Sequence, residues 1–273
     1  MDELFTIVND ALLPAGEASL LVTDLSIQRG YGIFDFFKTV DGEPVFLEEH
    51  FERFFHSAAQ MRLDVGQTRE KLRNRVEMLL RRNELADSGV RMTLTGGYSP
   101  DGYTLARPNL VISQTPLTAP VSRELREPIR LVSYPHRRQL PETKTIDYLM
   151  AIWLQPYIRE CGADDVLYHS DGIITECPRS NFFLVTAGDR LVTPARGVLH
   201  GIIRGKVLEL ARQQFQVEER DIKLEELRTS KEVFITSTTK HVLPVSQVDG
   251  ILLEGPRPVS RWLNEELFAL MSR

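Results

Sequence analysis

The sequence predicts an α+β protein of two lobes, a smaller α/β lobe over residues 1–114 and a larger, strand-rich lobe over residues 128–273, joined by a linker at 115–127. Three observations carry that prediction. Hairpin and helix signals crowd the first lobe. The composition then shifts at "TPLTAPVSRELREP", where three prolines and polar spacers suit an interdomain connection. Beyond it, strand-like runs outnumber helical ones and do not alternate with them strictly, which disfavours a doubly wound sheet.

Taken in order, "IFDFFKTV" and "PVFL" read as strands flanking the turn signal "DGEP". "LEEHFERFFHSAAQM" places Leu47, Phe51, Phe54, Phe55, Ala58 and Met61 at helical spacing. "TREKLRNRVEMLLRR" reads as a second amphipathic helix with Thr68 as its N-cap. "GVRMTLTGG" and "PNLVISQ" are two further strands. The second lobe has strands at "IRLVSYP", "DVLYHS", "GIITE", "NFFLVT", "RLVTP", "EVFITS" and "VLPVSQ". Its helices are "DYLMAIWLQPYIRE", "GIIRGKVLELARQQF" and "RPVSRWLNEELFALMS".

The composition, 42% hydrophobic and 26% charged over 273 residues, suits a globular enzyme with a sizeable core. A net charge of -5 gives no footprint for nucleic acid. The apolar runs are too short and too often broken by charge to span a bilayer. "MDELFTIVND" has neither the basic nor the apolar region of a signal peptide, and two cysteines, Cys161 and Cys177, fit reduced thiols in a cytoplasmic protein. No metal site is expected.

Of only seven lysines, Lys71, Lys206, Lys223 and Lys231 lie in charge-rich surroundings, whereas Lys38, Lys144 and Lys240 border apolar or hydroxyl-rich stretches. Lys144, in "LPETKTIDYLMAIW", is a candidate nucleophile or Schiff-base former, since apolar surroundings disfavour its charge. Read locally, it is first a lysine whose stem packs while its head reaches water. Glu176 in "GIITECPRSNFF" is either a solvated strand-end carboxylate or an anion facing a pyridine nitrogen. Arg53 either pairs with Glu49 on its helix or binds phosphate. "VLHGIIRGKVLELA" opens a helix on glycine, and helix N-termini attract anions. "STTK", Ser237 to Lys240, matches the S-x-x-K of Ser/Lys acyl-transfer enzymes, but it follows a strand and lacks the companions S-D-N and K-T-G.

The order of these pieces is an arginine on an early helix, a lysine, a carboxylate followed by S-N, L-x-G-[IV] at a helix start, and S-x-T before P-V. It resembles the class IV aminotransferases, the fold type IV enzymes that use pyridoxal 5'-phosphate (PLP), from "RGYGIFDFF" to "PVSQVDG". The resemblance implies that Lys144 forms the Schiff base with PLP and that Glu176 keeps the pyridine nitrogen protonated. It gives the phosphate to Arg53, the backbone of Ile202 and Ile203, and the Thr238 hydroxyl. Leu199 would pack on the ring, Tyr148 would reach its hydroxyl, and Asn181 would brace the strand of Glu176. One departure is "GIIR", where Ile203 stands in place of the family's usual threonine.

The resemblance also implies amino acid and 2-oxo acid substrates and a homodimer with active sites at the subunit boundary. Branched-chain enzymes carry a motif like V-F-E-G-I-R; this chain has "IFDFFK", with Phe36 for the glycine and Lys38 for the arginine. The usual R-x-H carboxylate trap of D-amino acid enzymes is replaced in "TGGYSPDGY" by Asp101 and Tyr103, and Asp101 would repel a carboxylate. Arg29, Arg91 and Arg179 are the candidate replacements, with Tyr31, Thr239 and Lys240 as further substrate-binding residues. "RGYGIFD", "LTGGYSPDGYT" and "KTIDY" together resemble a less usual subgroup of D-amino acid aminotransferases. The expected reaction is D-amino acid transamination with a partner such as 2-oxoglutarate. Branched-chain L-amino acid transamination, aminodeoxychorismate lyase and a non-catalytic PLP-binding protein are the alternatives.

Overall fold

The computed structural model describes residues 4–117 and 122–271. Part of the 115–127 linker, residues 118–121, therefore lies outside the described residues. The chain divides into two compact units, one of Met1–Pro120 with Thr143–Asp147, the other of Val121–Glu142 with Tyr148–Arg273. The short segment around Lys144 thus groups with the first unit, although it follows the linker in sequence.

The first unit opens with a hairpin of β1 (Phe5–Val8) and β2 (Ala11–Pro14), turned at Asn9, whose φ of 54° is left-handed. Only the Asn9–Asp10 pair signals this hairpin in the sequence, because its strands are four residues each. Helix α1 (Leu25–Arg29) follows, capped by Asp24, and then β3 (Gly32–Val40). "PVFL" is not the strand expected: β4 is only Glu43–Pro44, and Phe46 turns left-handed to start α2 (Leu47–Gln60). Helix α3 (Arg69–Asn83) begins at Thr68, whose hydroxyl accepts from Lys71 N at 3.2 Å. Strands β5 (Ser88–Thr95) and β6 (Leu110–Pro116) complete an antiparallel six-stranded sheet in the order β2-β1-β6-β5-β3-β4. Ile33 and Phe37 of β3 pack with Phe51, Phe54, Leu72, Val76 and Leu79 in one core. Each such side chain contributes about 1.5–3 kcal/mol by burial.

The second unit contains β7 (Ile129–Pro135), then α4 (Leu149–Trp153) and α5 (Gln155–Glu160). One helix is expected over "DYLMAIWLQPYIRE"; two form because Pro156 has no N–H and its ring collides with the carbonyl four residues back. The strands are β8 (Asp165–Ser170), β9 (Ile173–Ile174), β10 (Glu176–Cys177), β11 (Ser180–Val185) and β12 (Arg190–Thr193). After α6 (Ile202–Ala211) come β13 (Gln216–Glu219), β14 (Ile222–Lys223), a 3-10 turn at Leu224–Thr229, β15 (Glu232–Ser237), β16 (His241–Val248), β17 (Ile251–Leu252) and α7 (Pro258–Met271). Their eleven-stranded sheet runs β13-β12-β11-β15-β16-β7-β8-β9-β14, with β10 on β11 and β17 on β16. It is mixed: β7 pairs in parallel with β8 and β16, and β12 with β13. Among the described residues, helices do not alternate strictly with strands in either unit, which fits α+β organisation.

Candidate active site

In the first unit, Lys144 is fixed through its backbone. Its carbonyl accepts from Phe34 N at 3.0 Å, its amide donates to Ser57 Oγ at 3.3 Å, and Ile146 N donates to Gly32 O at 3.1 Å. The segment therefore lies along the start of β3, with an antiparallel bridge between Ile33 and Thr145. The Lys144 ammonium sits 4.5 Å from the centroid of the Phe34 ring. The Arg91 guanidinium, from β5, sits 3.8 Å from the same centroid. An aromatic face attracts cations, so one ring holds both. Side chains alternate along β3, and the face bearing Phe34 also bears Phe36 and Lys38. Lys38 is 2% exposed, and burial lowers its amine to about 8, against a smaller pull from Asp87.

The other face of β3 carries Asp35, fully buried, toward α2. Arg53 donates to it twice, from Nε to Oδ2 and from Nη2 to Oδ1, both at 2.8 Å, and His50 Nδ1 lies 2.7 Å from Oδ1. Burial alone would raise the Asp35 carboxyl; the Arg53 guanidinium and His50 more than offset it and hold it well below the usual carboxylate range. Burial pushes the His50 imidazole down, against the pull of Asp35. The sequence reading of Arg53 as a partner of Glu49 or a phosphate ligand omits Asp35. The signal was there: a carboxylate at an inward position of an apolar strand needs a charged partner.

Two other residues of this unit have defined surroundings. Tyr31 donates its hydroxyl to Met61 O at 2.7 Å and packs against the core. Arg29 is exposed and donates from Nη1 to Gln28 O at 2.9 Å. Asp101 is not a bare charge. It accepts from Ser99 Oγ, Tyr103 N, Thr104 N and Thr104 Oγ1 at 2.7–3.0 Å, and these donors hold it well below its usual range.

In the second unit, Glu176, Asn181 and Leu199 form one cluster. Glu176 is 4% exposed; its Oε2 accepts from Leu199 N at 3.0 Å and Asn181 Nδ2 at 3.3 Å. Asn181 Nδ2 also donates to Leu199 O at 2.7 Å. The other oxygen, Oε1, accepts from Arg138 Nη1 at 3.0 Å, a partner with no local sequence signal because it lies 38 residues away. Helix α6 starts beside this cluster. Its N-cap, Gly201, supplies no side-chain cap, so the amides of Ile202 and Ile203 stand at an open positive helix end. A β-carbon at Gly201 would sit 2.1 Å from Asn181 Oδ1. The Ile203 side chain is buried, and Arg204 anchors the helix through Glu219 Oε2 at 2.8 Å and Pro194 O at 3.0 Å.

The remaining candidates of this unit lie at the ends of its elements. Tyr148 is half-buried and precedes α4; Thr238 is half-buried after β15. Thr239 is exposed, and its carbonyl accepts from Arg126 at 3.4 Å. Arg179 is exposed in the turn between β10 and β11. The Lys240 ammonium donates to Asp165 Oδ2 at 2.8 Å, which commits it away from Ser237. Beside that pair, burial pushes the Cys177 thiol and the Tyr168 phenol up, which makes Cys177 a poor nucleophile. Among the described residues, no group of histidines, cysteines and carboxylates is arranged to hold a metal ion.

The family model for amino-transferase class IV matches residues 32–248, and the chain belongs to that family. It is accordingly a PLP-dependent aminotransferase of fold type IV. It is 27% identical over 248 residues to a D-alanine aminotransferase of Bacillus licheniformis, covering 89% of this chain and 87% of that one. It is 28% identical over 254 residues to a putative branched-chain-amino-acid aminotransferase of Methanocaldococcus jannaschii, at the same coverage. Among solved structures, the branched-chain aminotransferase of Thermoproteus uzoniensis with norvaline superposes with a TM-score of 0.87 at 26% identity, covering 99% of this chain and 95% of that one. The PLP-bound form of a hypothetical aminotransferase from Mycobacterium tuberculosis has a TM-score of 0.84 at 24% identity, covering 98% of each chain, and bears on the fold alone.

Proposed function

We propose that this aminotransferase moves an amino group between a D-amino acid and a 2-oxo acid, with D-glutamate and 2-oxoglutarate as the favoured pair. The residues present fit PLP. A phosphate suits the uncapped start of α6, where any side chain at Gly201 would collide with Asn181. A protonated ring nitrogen suits the buried Glu176 carboxylate, which Arg138, Asn181 and Leu199 N hold in one orientation. In this reading Ile202 N, Ile203 N, Thr238 and Arg53 bind the phosphate, and Asp35 orients the Arg53 fork. Leu199 would pack on the ring and Tyr148 would reach its hydroxyl. When bound, PLP supplies an electron sink for the bond being broken at the substrate Cα.

The chain's own residues do the rest. Lys144 Nζ takes the Cα proton of the amino donor and later gives it up, held over Phe34 by a backbone fixed at both its N–H and its C=O. Arg91 binds the substrate α-carboxylate; Arg29 and Arg179 receive the second carboxylate of a dicarboxylic partner. Tyr31, Thr239 and Lys240 complete the proposed substrate-binding set; the Tyr31 hydroxyl donates to Met61 O and the Lys240 ammonium to Asp165 Oδ2.

The observation that carries this reading is the sharing of the Phe34 ring by Lys144 and Arg91, which ties the proton carrier and a second cation to one aromatic side chain. The D-alanine aminotransferases among the relatives favour the D-configuration. So does Phe36, whose ring fills the space over Gly89 where branched-chain motifs have glycine in place of Phe36 itself. Branched-chain L-amino acid transamination is the second reading, favoured by the Methanocaldococcus jannaschii relative. Side-by-side turnover of D-alanine, D-glutamate and L-leucine with 2-oxoglutarate tests the choice. The D-donors are expected to be faster; faster L-leucine would overturn the assignment.

Leu149, Ile152 and Trp153 of α4 are 71%, 64% and 63% exposed, an apolar ridge that suits a homodimer contact. Light scattering of the holoenzyme tests that, and a monomeric mass would refute it. No helix among the described residues is long and apolar enough to cross a membrane, and the free thiols of Cys161 and Cys177 suit a cytoplasmic location, which cell fractionation would check.

A further inference from the structure

Asp101 stands where D-amino acid enzymes usually carry a carboxylate trap, yet its own carboxylate is turned inward on its loop. Oδ1 accepts from Ser99 Oγ at 3.0 Å, Tyr103 N at 2.9 Å and Thr104 N at 2.7 Å; Oδ2 accepts from Thr104 Oγ1 at 2.7 Å. The next residue, Gly102, is buried with a φ of 71°. A β-carbon there would sit 2.4 Å from Gln28 Oε1 and 3.6 Å from Arg29 Nη2. The loop closed by Asp101 therefore presses its backbone against the last turn of α1.

The same two segments are tied at their bases. Leu25 N donates to Gly97 O at 3.0 Å, Ser99 N to Thr23 O at 3.1 Å and Gly96 N to Tyr31 O at 3.1 Å. Asp24, fully buried, accepts from Ser26 N, Thr95 Oγ1 and Asn109 Nδ2 at 2.7–2.8 Å. On the far side, Gln28 Nε2 donates to Val22 O at 3.2 Å, and Arg29 Nη1 donates to Gln28 O at 2.9 Å. Gln28 thus lies between Val22 and the Asp101 loop, and the exposed Arg29 guanidinium is bonded to the Gln28 carbonyl next to it.

We propose that Asp101 is a positioning residue for Arg29: it folds residues 99–104 into a rest for the Gln28–Arg29 pair and so sets where Arg29 can meet a substrate carboxylate. The inference rests on the reading that Arg29 binds substrate. It replaces repulsion by Asp101 with an indirect role in specificity. A carboxylate whose acceptor sites are already filled by four hydrogen bonds repels an anion less than a bare one and orders its surroundings more.

The test uses the holoenzyme with Arg29→Ala, Asp101→Ala, the double variant and the conservative Asp101→Asn, which keeps one oxygen for the Oδ1 donors. Asp101→Ala is expected to raise KM for 2-oxoglutarate about tenfold, the scale of losing a charge-assisted hydrogen bond, with a smaller change in kcat. The double variant should be no worse than Arg29→Ala alone, and Asp101→Asn should recover most of the loss. Amide hydrogen exchange over residues 25–31 should speed up in Asp101→Ala. Unchanged exchange there, or effects of the two alanines that simply add, would overturn the positioning role. If Asp101→Ala does not fold, Thr104→Val removes one bond of the same loop and should give a weaker change of the same kind; no change would overturn the proposal. Arg29→Ala with a wild-type KM would instead overturn the substrate role of Arg29, and with it the functional half of the inference, even if the exchange result stands.

Discussion

Two buried charges sit on opposite faces of β3, and burial acts on each. Asp35 has a bidentate arginine and a histidine; Lys38, on the opposite face, is 2% exposed and its amine is lowered to about 8. The unfolded chain releases that proton only near the ordinary value of 10.5. Between the two values the unfolded state binds more protons than the folded one, so the burial penalty is full below pH 8 and fades as pH rises toward 10.5. Lys38→Met is therefore expected to raise the melting temperature at pH 7, by a stabilisation on the order of 2 kcal/mol, and to lose that advantage by about pH 10.5. Thermal unfolding at the two pH values checks this; a lower melting temperature at pH 7, or a gain that grows with pH, would contradict it.

Among the elements, the start of α6 depends on one missing side chain. Gly201→Ala would drive a β-carbon into Asn181 Oδ1, and Asn181 bonds both Glu176 Oε2 and Leu199 O. The expected outcome is a PLP affinity about tenfold or more weaker, as one strong polar contact is lost, followed by titrating the apoenzyme and reading cofactor absorbance. An unchanged affinity would separate Asn181 from cofactor binding. The helices α2 and α3 were legible in sequence because their apolar residues recur at helical spacing and Thr68 marks a start. The break before α5 was also written there, in Pro156, but the surrounding apolar run masked it. The β1–β2 hairpin was not legible, since four-residue strands are too short to show a period. The pairings behind the candidate site were hidden for a different reason. Asp35 lies 18 residues from Arg53 and Arg138 lies 38 from Glu176, and only the folded chain brings them together. Ordered motifs could point to Lys144, to Glu176 and to Asn181 beside it, but not to Arg138 or Ser57, which no local pattern marks.

For the whole molecule, the division into two units gives the lysine segment a role beyond its sequence position. Thr143–Asp147 crosses back to the first unit, where β3 and α2 hold its backbone, while Glu176 and the start of α6 are built on the second. In the proposed reading, proton transfer and cofactor anchoring are assigned to residues of two compact units, each with its own core. Lys144 is proposed to carry the Cα proton of a D-amino acid, and deuterium washout from Cα-deuterated D-alanine and L-leucine, each incubated with the holoenzyme or its Lys144→Ala variant, tests this. Rapid loss of deuterium from D-alanine is expected with the wild type, slower loss from L-leucine, and none above background with Lys144→Ala. Wild-type washout by the variant, or faster loss from L-leucine, would contradict it.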